Sequence, residues 1–239
     1  MENCWKDIWS KKSTEHNLEM LGEYEMFCEL KRADGFDVGV EDADGYYQYF
    51  YKQLDEMVAT IGRLMDPVRP ASAFEVGCGS GVNLWFLQKH FGMEIGGIDY
   101  SASLADVANS VLKGNVVACK EAIELTSLPQ YDVVFSNSVF QYFPDEAYAA
   151  KVLELMLQKS RRMVVLLEVH DMEHKDDWLA HRRSKIPDYD AQYAGLGRLF
   201  LSKKWVEEIA GVHGRQVHFT YPDSPYYVGS KYIYDAYLY

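Results

Sequence analysis

Hydrophobic positions in this chain change rhythm near residue 70, from stripes at helical spacing to short unbroken runs. Residues 1–31 carry the helical rhythm, with Trp5, Ile8 and Trp9 on one face and Leu18, Leu21, Tyr24 and Leu30 on another. Residues 46–65 form the cleanest predicted helix, in which Phe50, Leu54, Met57, Val58, Ile61, Leu64 and Met65 make one stripe, a core face. Asp44 is placed to cap its start and Asp66-Pro67 to end it. Beyond residue 70, the runs 73–76, 94–99, 115–119, 131–135 and 163–167 read as strands. Helices are predicted between them at 82–91, 102–112 and 146–158, so the class is α/β. Ser202 is placed to cap a helix carrying Trp205, Val206, Ile209 and Ala210, which ends at Gly211 or Gly214. Two last strands, 216–221 and 232–239, close the pattern, the second with a tyrosine-rich face.

The informative punctuation is the turn after the first strand, Glu75-Val76-Gly77-Cys78-Gly79-Ser80-Gly81. Glycines let a ligand approach the backbone, and the helix that follows offers unpaired N–H groups and a positive dipole end. A dinucleotide fingerprint, G-x-G-x-x-G, needs glycine where this chain has Val82. Glu75, just before the first glycine, would repel a pyrophosphate but favour a ligand that carries an ammonium and a sulfonium. With this turn the chain resembles the class I S-adenosylmethionine-dependent methyltransferases of small-molecule type, whose first motif has the form E/D-x-G-x-G-x-G.

That resemblance implies a Rossmann-like, seven-stranded, mostly parallel sheet with its last strand antiparallel and helices on both faces. It also implies S-adenosyl-L-methionine as cofactor, held by Glu75, Gly77, Cys78, Gly79 and Gly81. Asp99 ends the second strand 22 residues after Gly77, near the interval of about 20 at which an acid meets ribose hydroxyls; capping the next helix is its alternative role, open equally to Ser101. Tyr100 and Ser101 follow as in the family's G-x-D-x-S. Glu121 and Ala122 stand where the family meets the adenine amino group, or Glu121 is a plain exposed turn residue. The run 130–144, with Ser136, Asn137, Gln141 and Tyr142, matches the strand end that faces the methyl group. It lacks an N-P-P-Y run, an aspartate for Mg²⁺ and an acidic pair for a polyamine, which leaves hydrogen bonding to an acceptor that is already nucleophilic. Asn137 and His170 are the catalytic candidates, His170 as base or orienting group, or as a hydrogen-bonded structural residue. Glu168 and Asp171 are expected beside it at the mouth of the site. Phe36, Gln141, Tyr193 and Tyr221 are the acceptor-binding candidates. No metal is expected, because an i, i+4 pairing of His170 with His174 would need one helix across a strand end.

At 239 residues the chain is read as one core, 67–239, with a helical segment or lid, 1–66, and a cap insertion, 172–201. The acidic loop 32–45 either packs as structural filler or closes over the cofactor. A net charge of −12 opposes a nucleic-acid partner, and Arg161-Arg162 and Arg182-Arg183 read as solvated helix ends. Eighteen tyrosines suggest a cavity suited to an amphipathic or cationic small molecule. Scattered cysteines, no apolar run near the ~18 residues of a membrane span and no signal pattern at Met1-Glu2-Asn3-Cys4 lead to a cytoplasmic expectation. The leading function is methyl transfer to an N, O or C nucleophile of a small molecule in small-molecule metabolism. The alternatives are a non-catalytic binding or scaffold subunit of the same fold and a nicotinamide oxidoreductase.

Overall fold

The computed structural model describes residues 4–14, 18–35 and 42–239. The strands are β1 (Ser72–Val76), β2 (Glu94–Asp99), β3 (Val117–Cys119), β4 (Tyr131–Asn137), β5 (Ser160–His170), β6 (Val217–Thr220) and β7 (Ile233–Leu238). They make one sheet in the order β3-β2-β1-β4-β5-β7-β6. β1 to β5 run parallel, and β7 is antiparallel to both of its neighbours. Strand order reverses between β1 and β4, which opens a crevice at their carboxyl ends.

The helices are α1 (Cys4–Trp9), α2 (Glu23–Ala33), α3 (Ala43–Met65), α4 (Val82–Phe91), α5 (Ala102–Val111), α6 (Glu146–Lys159), α7 (Lys175–Lys185), α8 (Tyr189–Gln192) and α9 (Lys203–Val212). α2 to α5 share one core cluster with alternate residues of the sheet, among them Ala73, Val133, Phe135 and Val165. α6 and α9 share the other, with Phe74, Val134, Val164 and Leu166. Two-sided burial explains why these strands read as continuous apolar runs. The predicted α3 stripe is inward: Phe50, Leu54, Met57 and Ile61 are each at most 2% exposed. At about 1.5–3 kcal/mol per side chain, these four contribute on the order of 6–12 kcal/mol of gross hydrophobic stabilisation.

Several boundaries differ from the sequence expectation, each for a physical reason. The helical rhythm of 1–31 splits into α1, a single 3₁₀ turn at Leu18–Met20 and α2, because the polar run from Ser10 to Thr14 has no apolar face to bury. α3 is capped by Asp42, whose side chain accepts the Gly45 N–H at 3.0 Å, and not by Asp44. β4 continues to Asn137 because Ser136 and Asn137 pair with Leu166 and Leu167. β5 continues to His170 because β7 pairs with Val169 and His170, past an irregularity where Glu168 takes φ 56°. The tyrosines of β7 do not share a face. Tyr237 packs with the α3 side and Tyr234 with the α9 side, so this strand too is buried on both faces.

The segment expected as a cap insertion holds α7 and α8 and a third small cluster of Trp178, Tyr189 and Phe200. Trp5 of α1 donates its Nε1–H to the Gly197 carbonyl at 3.1 Å, which joins the first helix of the chain to this insertion. No helix among the described residues is long and apolar enough to cross a membrane.

Candidate active site

The glycine turn is built on close approaches. At Gly77, with φ 73°, a Cβ would stand 2.6 Å from Val139 Cγ2, and at Gly79, with φ 53°, it would collide with the Asp34 carboxylate. Asp34 follows α2 and accepts both the Ser80 N–H at 2.7 Å and the Ser80 hydroxyl at 3.0 Å. The chain's own carboxylate therefore occupies an N–H at the opening of α4, where a pyrophosphate would otherwise dock.

Two more carboxylates flank the turn. Glu75, 1% exposed in the middle of the sheet, accepts from Asn83 Nδ2 on α4 at 2.7 Å through Oε1, and its buried Oε2 has no hydrogen-bond partner. Asp99, at the end of β2, accepts the Gly79 N–H through Oδ2 and the Ser101 N–H through Oδ1, both at 2.8 Å. Burial pushes the Glu75 carboxyl well up, lifts that of Asp99 and raises Asp34 to about 7. Burial also pulls the Lys31 ammonium down, opposed by Glu168, Asp34 and Glu75. Three buried carboxyls flank one buried lysine, and a cationic ligand would favour their ionised form, which burial alone disfavours.

One cavity of about 600 Å³ runs along the carboxyl edge of the sheet. Near β2 and β3 it is lined by Asp99, Tyr100, Glu121 and Ala122, and at β1 by Glu75, Gly77, Cys78 and Gly79. Towards β5 it is lined by Asn137, Gln141, Tyr142, His170, Arg182 and Arg198. Its volume lies within the range of roughly 300–1,000 Å³ usual for small-molecule sites. His170 is 5% exposed, with its ring between Trp178 at 5.1 Å and Phe200 at 5.2 Å and its Nδ1 unpartnered. Burial, then the charges of Arg198 and Arg182, hold it well below the usual histidine range, so the ring is neutral. Asn137 is 9% exposed, with its Oδ1 also unpartnered. Gln141 donates to the backbone carbonyl and hydroxyl of Ser138, both at 2.8 Å.

The structure thus brings twelve of the site residues singled out in the sequence to one cavity, and sets others elsewhere. Gly81 begins α4 against α5, where a Cβ would meet that of Ala108 at 2.8 Å. Ser101 caps α5 and donates its hydroxyl to the Trp9 carbonyl at 3.2 Å. Ser136 ties β4 to β1 by donating to the Val76 carbonyl at 2.9 Å. Tyr193 stacks on Tyr189 and accepts from Arg182, outside the cavity lining. Tyr221 is 62% exposed beside Lys203. Phe36 lies outside the described residues. Glu168 is buried near Lys31 rather than at the cavity mouth, and Asp171 pairs with Lys203 at 2.6 Å. Glu121 holds both of its expected roles in reach, since it lines the cavity at the start of a 3₁₀ turn.

Among the lining residues that the sequence did not mark as site candidates are Lys31, Asp34, Arg182 and Arg198. Asp34 had a signal in the acidic loop that contains it. The Arg182-Arg183 pair reads as a solvated helix end, yet the two residues part: Arg183 pairs with Asp190 at 3.0 Å, while Arg182 turns inward among Trp178, Tyr189 and Tyr193.

Residues 74–163 match a family model described as a methyltransferase domain. The chain is 30% identical over 151 residues, 56% of its length, to the beauvericin nonribosomal cyclodepsipeptide synthetase of Gibberella fujikuroi, and 27% identical over 152 residues, 59% of its length, to the peramine synthetase of Metarhizium rileyi. It spans only 5% of the length of either. Among solved structures, it resembles the magnesium protoporphyrin IX methyltransferase of Synechocystis PCC 6803 with bound S-adenosylhomocysteine, at TM-score 0.59 and 16% identity, covering 83% of this chain and 85% of that one. It also resembles the plantazolicin methyltransferase in complex with S-adenosylhomocysteine, at TM-score 0.61 and 15% identity, covering 90% and 92%. At such identities the likeness is one of fold.

Proposed function

We propose that this chain is a class I S-adenosylmethionine-dependent methyltransferase that transfers a methyl group to an N, O or C nucleophile of a small-molecule acceptor, a reading supported by the methyltransferase-domain match over residues 74–163. The observation that carries this reading is the buried, unpartnered Glu75 Oε2 at a glycine cradle, on the same cavity as Asp99 and a neutral His170. When bound there, S-adenosylmethionine supplies an electrophilic methyl group on a positively charged sulfur, released to an acceptor lone pair with S-adenosylhomocysteine as product. Glu75 and Asp34 would hold its cationic part, Asp99 its sugar hydroxyls, and Glu121 and Ala122 its base. Gly77, Cys78 and Gly79 would bring the backbone close, with Tyr100 and Tyr142 closing the walls.

At the other end, His170 and Asn137 are the catalytic residues of this reading. The neutral imidazole accepts a proton from an acceptor that must lose one, and Asn137 Oδ1 orients a donor group on the acceptor. Gln141 borders the same space. The chain's main task is alignment and exclusion of water. The segment 1–66 acts as a lid and 172–201 as a cap, supported by the bond from Trp5 to Gly197 across them. A cytoplasmic setting belongs to the reading, supported by free thiols at Cys28, Cys78 and Cys119. Asp34 on the Ser80 N–H opposes the nicotinamide alternative.

Thermal melting with added ligand tests the reading. S-adenosylhomocysteine at a hundred times its dissociation constant stabilises by about 2.7 kcal/mol, which raises Tm by roughly 5–11 °C in a chain of this size. E75Q and D99N should each weaken its binding at least about tenfold, the loss of one charged hydrogen bond. NAD should leave Tm unmoved; a shift with NAD and none with S-adenosylhomocysteine would overturn the proposal.

A further inference from the structure

The acceptor end of the cavity carries a charge pattern that the donor does not explain. Arg198 projects from the loop before Phe200 with its guanidinium 5.0 Å from the ring centres of Trp5 and of Tyr142, and 5.6 Å from that of Trp178. Arg182, on α7, lies 5.3–5.6 Å from the rings of Tyr193, Tyr189 and Trp178. It gives one hydrogen bond, Nη2–H to the Tyr193 hydroxyl at 3.1 Å, and its buried Nε has no partner. Among the described residues neither guanidinium has a carboxylate within ion-pair distance, as holds also for Arg63, Arg69 and Arg215 but not for Arg32, Arg161, Arg162 and Arg183. Of all these arginines only Arg182 and Arg198 line the cavity. In a chain of net charge −12, two guanidiniums kept apart from carboxylates and fixed by aromatic rings are set for an anion from outside.

We infer that the methyl acceptor carries a carboxylate, which docks on Arg198 and Arg182 beside His170 in an aromatic-walled chamber. This rests on the methyltransferase reading above and narrows it to a substrate class. The guanidinium fork matches the two oxygens of a carboxylate in one plane. Tyr46, Tyr142 and Tyr227, which line the cavity, present flat apolar surface to the rest of such a molecule. A neutral His170 does not compete for the anion, and its unpartnered Nδ1 remains free to take an acceptor proton. The cationic acceptor that the tyrosine content suggested is opposed by both arginines.

The experiment uses the full chain with benzoate and indole-3-acetate as probes, benzamide and indole-3-acetamide as their uncharged counterparts, and benzyl phosphate as a different anion. Each is titrated by thermal shift with and without saturating S-adenosylhomocysteine. The carboxylates should raise Tm, the amides should not, and R198Q should weaken carboxylate binding at least tenfold while leaving S-adenosylhomocysteine binding within twofold. R182Q should behave alike, and R198K, which keeps charge but loses the fork, should fall between wild type and R198Q. Should R182Q fold poorly, R198Q and R198K carry the test. Equal shifts with amides, no shift with either carboxylate, or a shift with benzyl phosphate alone would overturn the inference. So would loss of S-adenosylhomocysteine binding in R198Q, which would give Arg198 to the donor's own carboxylate. A wild type that ignores S-adenosylhomocysteine but binds benzoate through Arg198 would sink the methyltransferase reading and leave the anion site standing.

Discussion

Replacing Gly77 by alanine separates two costs that the glycine turn avoids. The first is backbone: φ 73° lies in the left-handed region, where an L-residue is destabilised by about 1–2 kcal/mol. The second is steric. The new Cβ would stand 2.6 Å from Val139 Cγ2 and 3.0 Å from Cγ1, so the half-buried Val139 must move, at about 1–3 kcal/mol. Gly92, which ends α4, isolates the first term, since its φ is 63° and nothing lies within 4 Å of a Cβ there. G92A should therefore lose about 1–2 kcal/mol and G77A about 2–5 kcal/mol, a difference of about 1–3 kcal/mol. In Tm that difference is roughly 2–12 °C, read by calorimetry beside urea unfolding. G77A combined with V139A should recover part of it. Equal losses for G77A and G92A, or no recovery in the double variant, would refute the close approach of Val139 to the turn.

Asp34, raised by burial to about 7 from an ordinary 3.8, binds its proton in the folded chain across a window where the unfolded chain has released it, so stability should fall as pH rises from about 4 to 7. D34N, whose amide oxygen still accepts from Ser80, should remove that component, at most about 4 kcal/mol across the window, seen as wild-type minus variant Tm against pH. K203M should leave Asp171, 1% exposed, as a buried unpaired carboxylate and cost about 3 kcal/mol; D171N with K203M should regain most of it in urea unfolding. W5A should release α1, too short to hold its helix alone, and speed amide exchange over 4–9. If the segment is a lid, Tm falls by under about 4 °C; a fall above about 10 °C would make it an integral part of the core.

How much could be read from the sequence depends on how far apart in the chain the partners of each feature lie. The glycine-turn end of the cavity was legible because its parts are local: Glu75 and the glycines lie within one turn, and Asp99 ends the next strand. Burial on both faces made the parallel strands visible as apolar runs, but the same burial made the polar ends of β4 and the bulged end of β5 look like loops, since pairing with β5 and β7 comes from distant sequence. Ser136 and Ser101 sit inside motif segments yet spend their hydroxyls on Val76 and Trp9, partners 60 and 92 residues away. Arg182 and Arg198 gave no signal because what marks them is the absence of a carboxylate and the presence of rings from α1, α7 and the turn at Tyr142.

That division of labour has a chemical consequence. Carboxyl groups enter the cavity from the end of α2 and from β1 and β2, through Asp34, Glu75 and Asp99, while guanidinium charge enters from the segment after β5, through Arg182 and Arg198. The cavity is polar along its length, and a reacting pair that carries a cation at one end and an anion at the other is aligned by the field before any contact fixes it. Because the walls are buried and aromatic, salt screens this field less than it would on the surface. The two sets of groups also belong to separate stretches of chain, and the Trp5 bond to Gly197 ties the N-terminal stretch to the one that carries the arginines. On the proposed function, exchange of the segment between β5 and α9 should change the acceptor while the glycine turn and its acids keep binding S-adenosylhomocysteine.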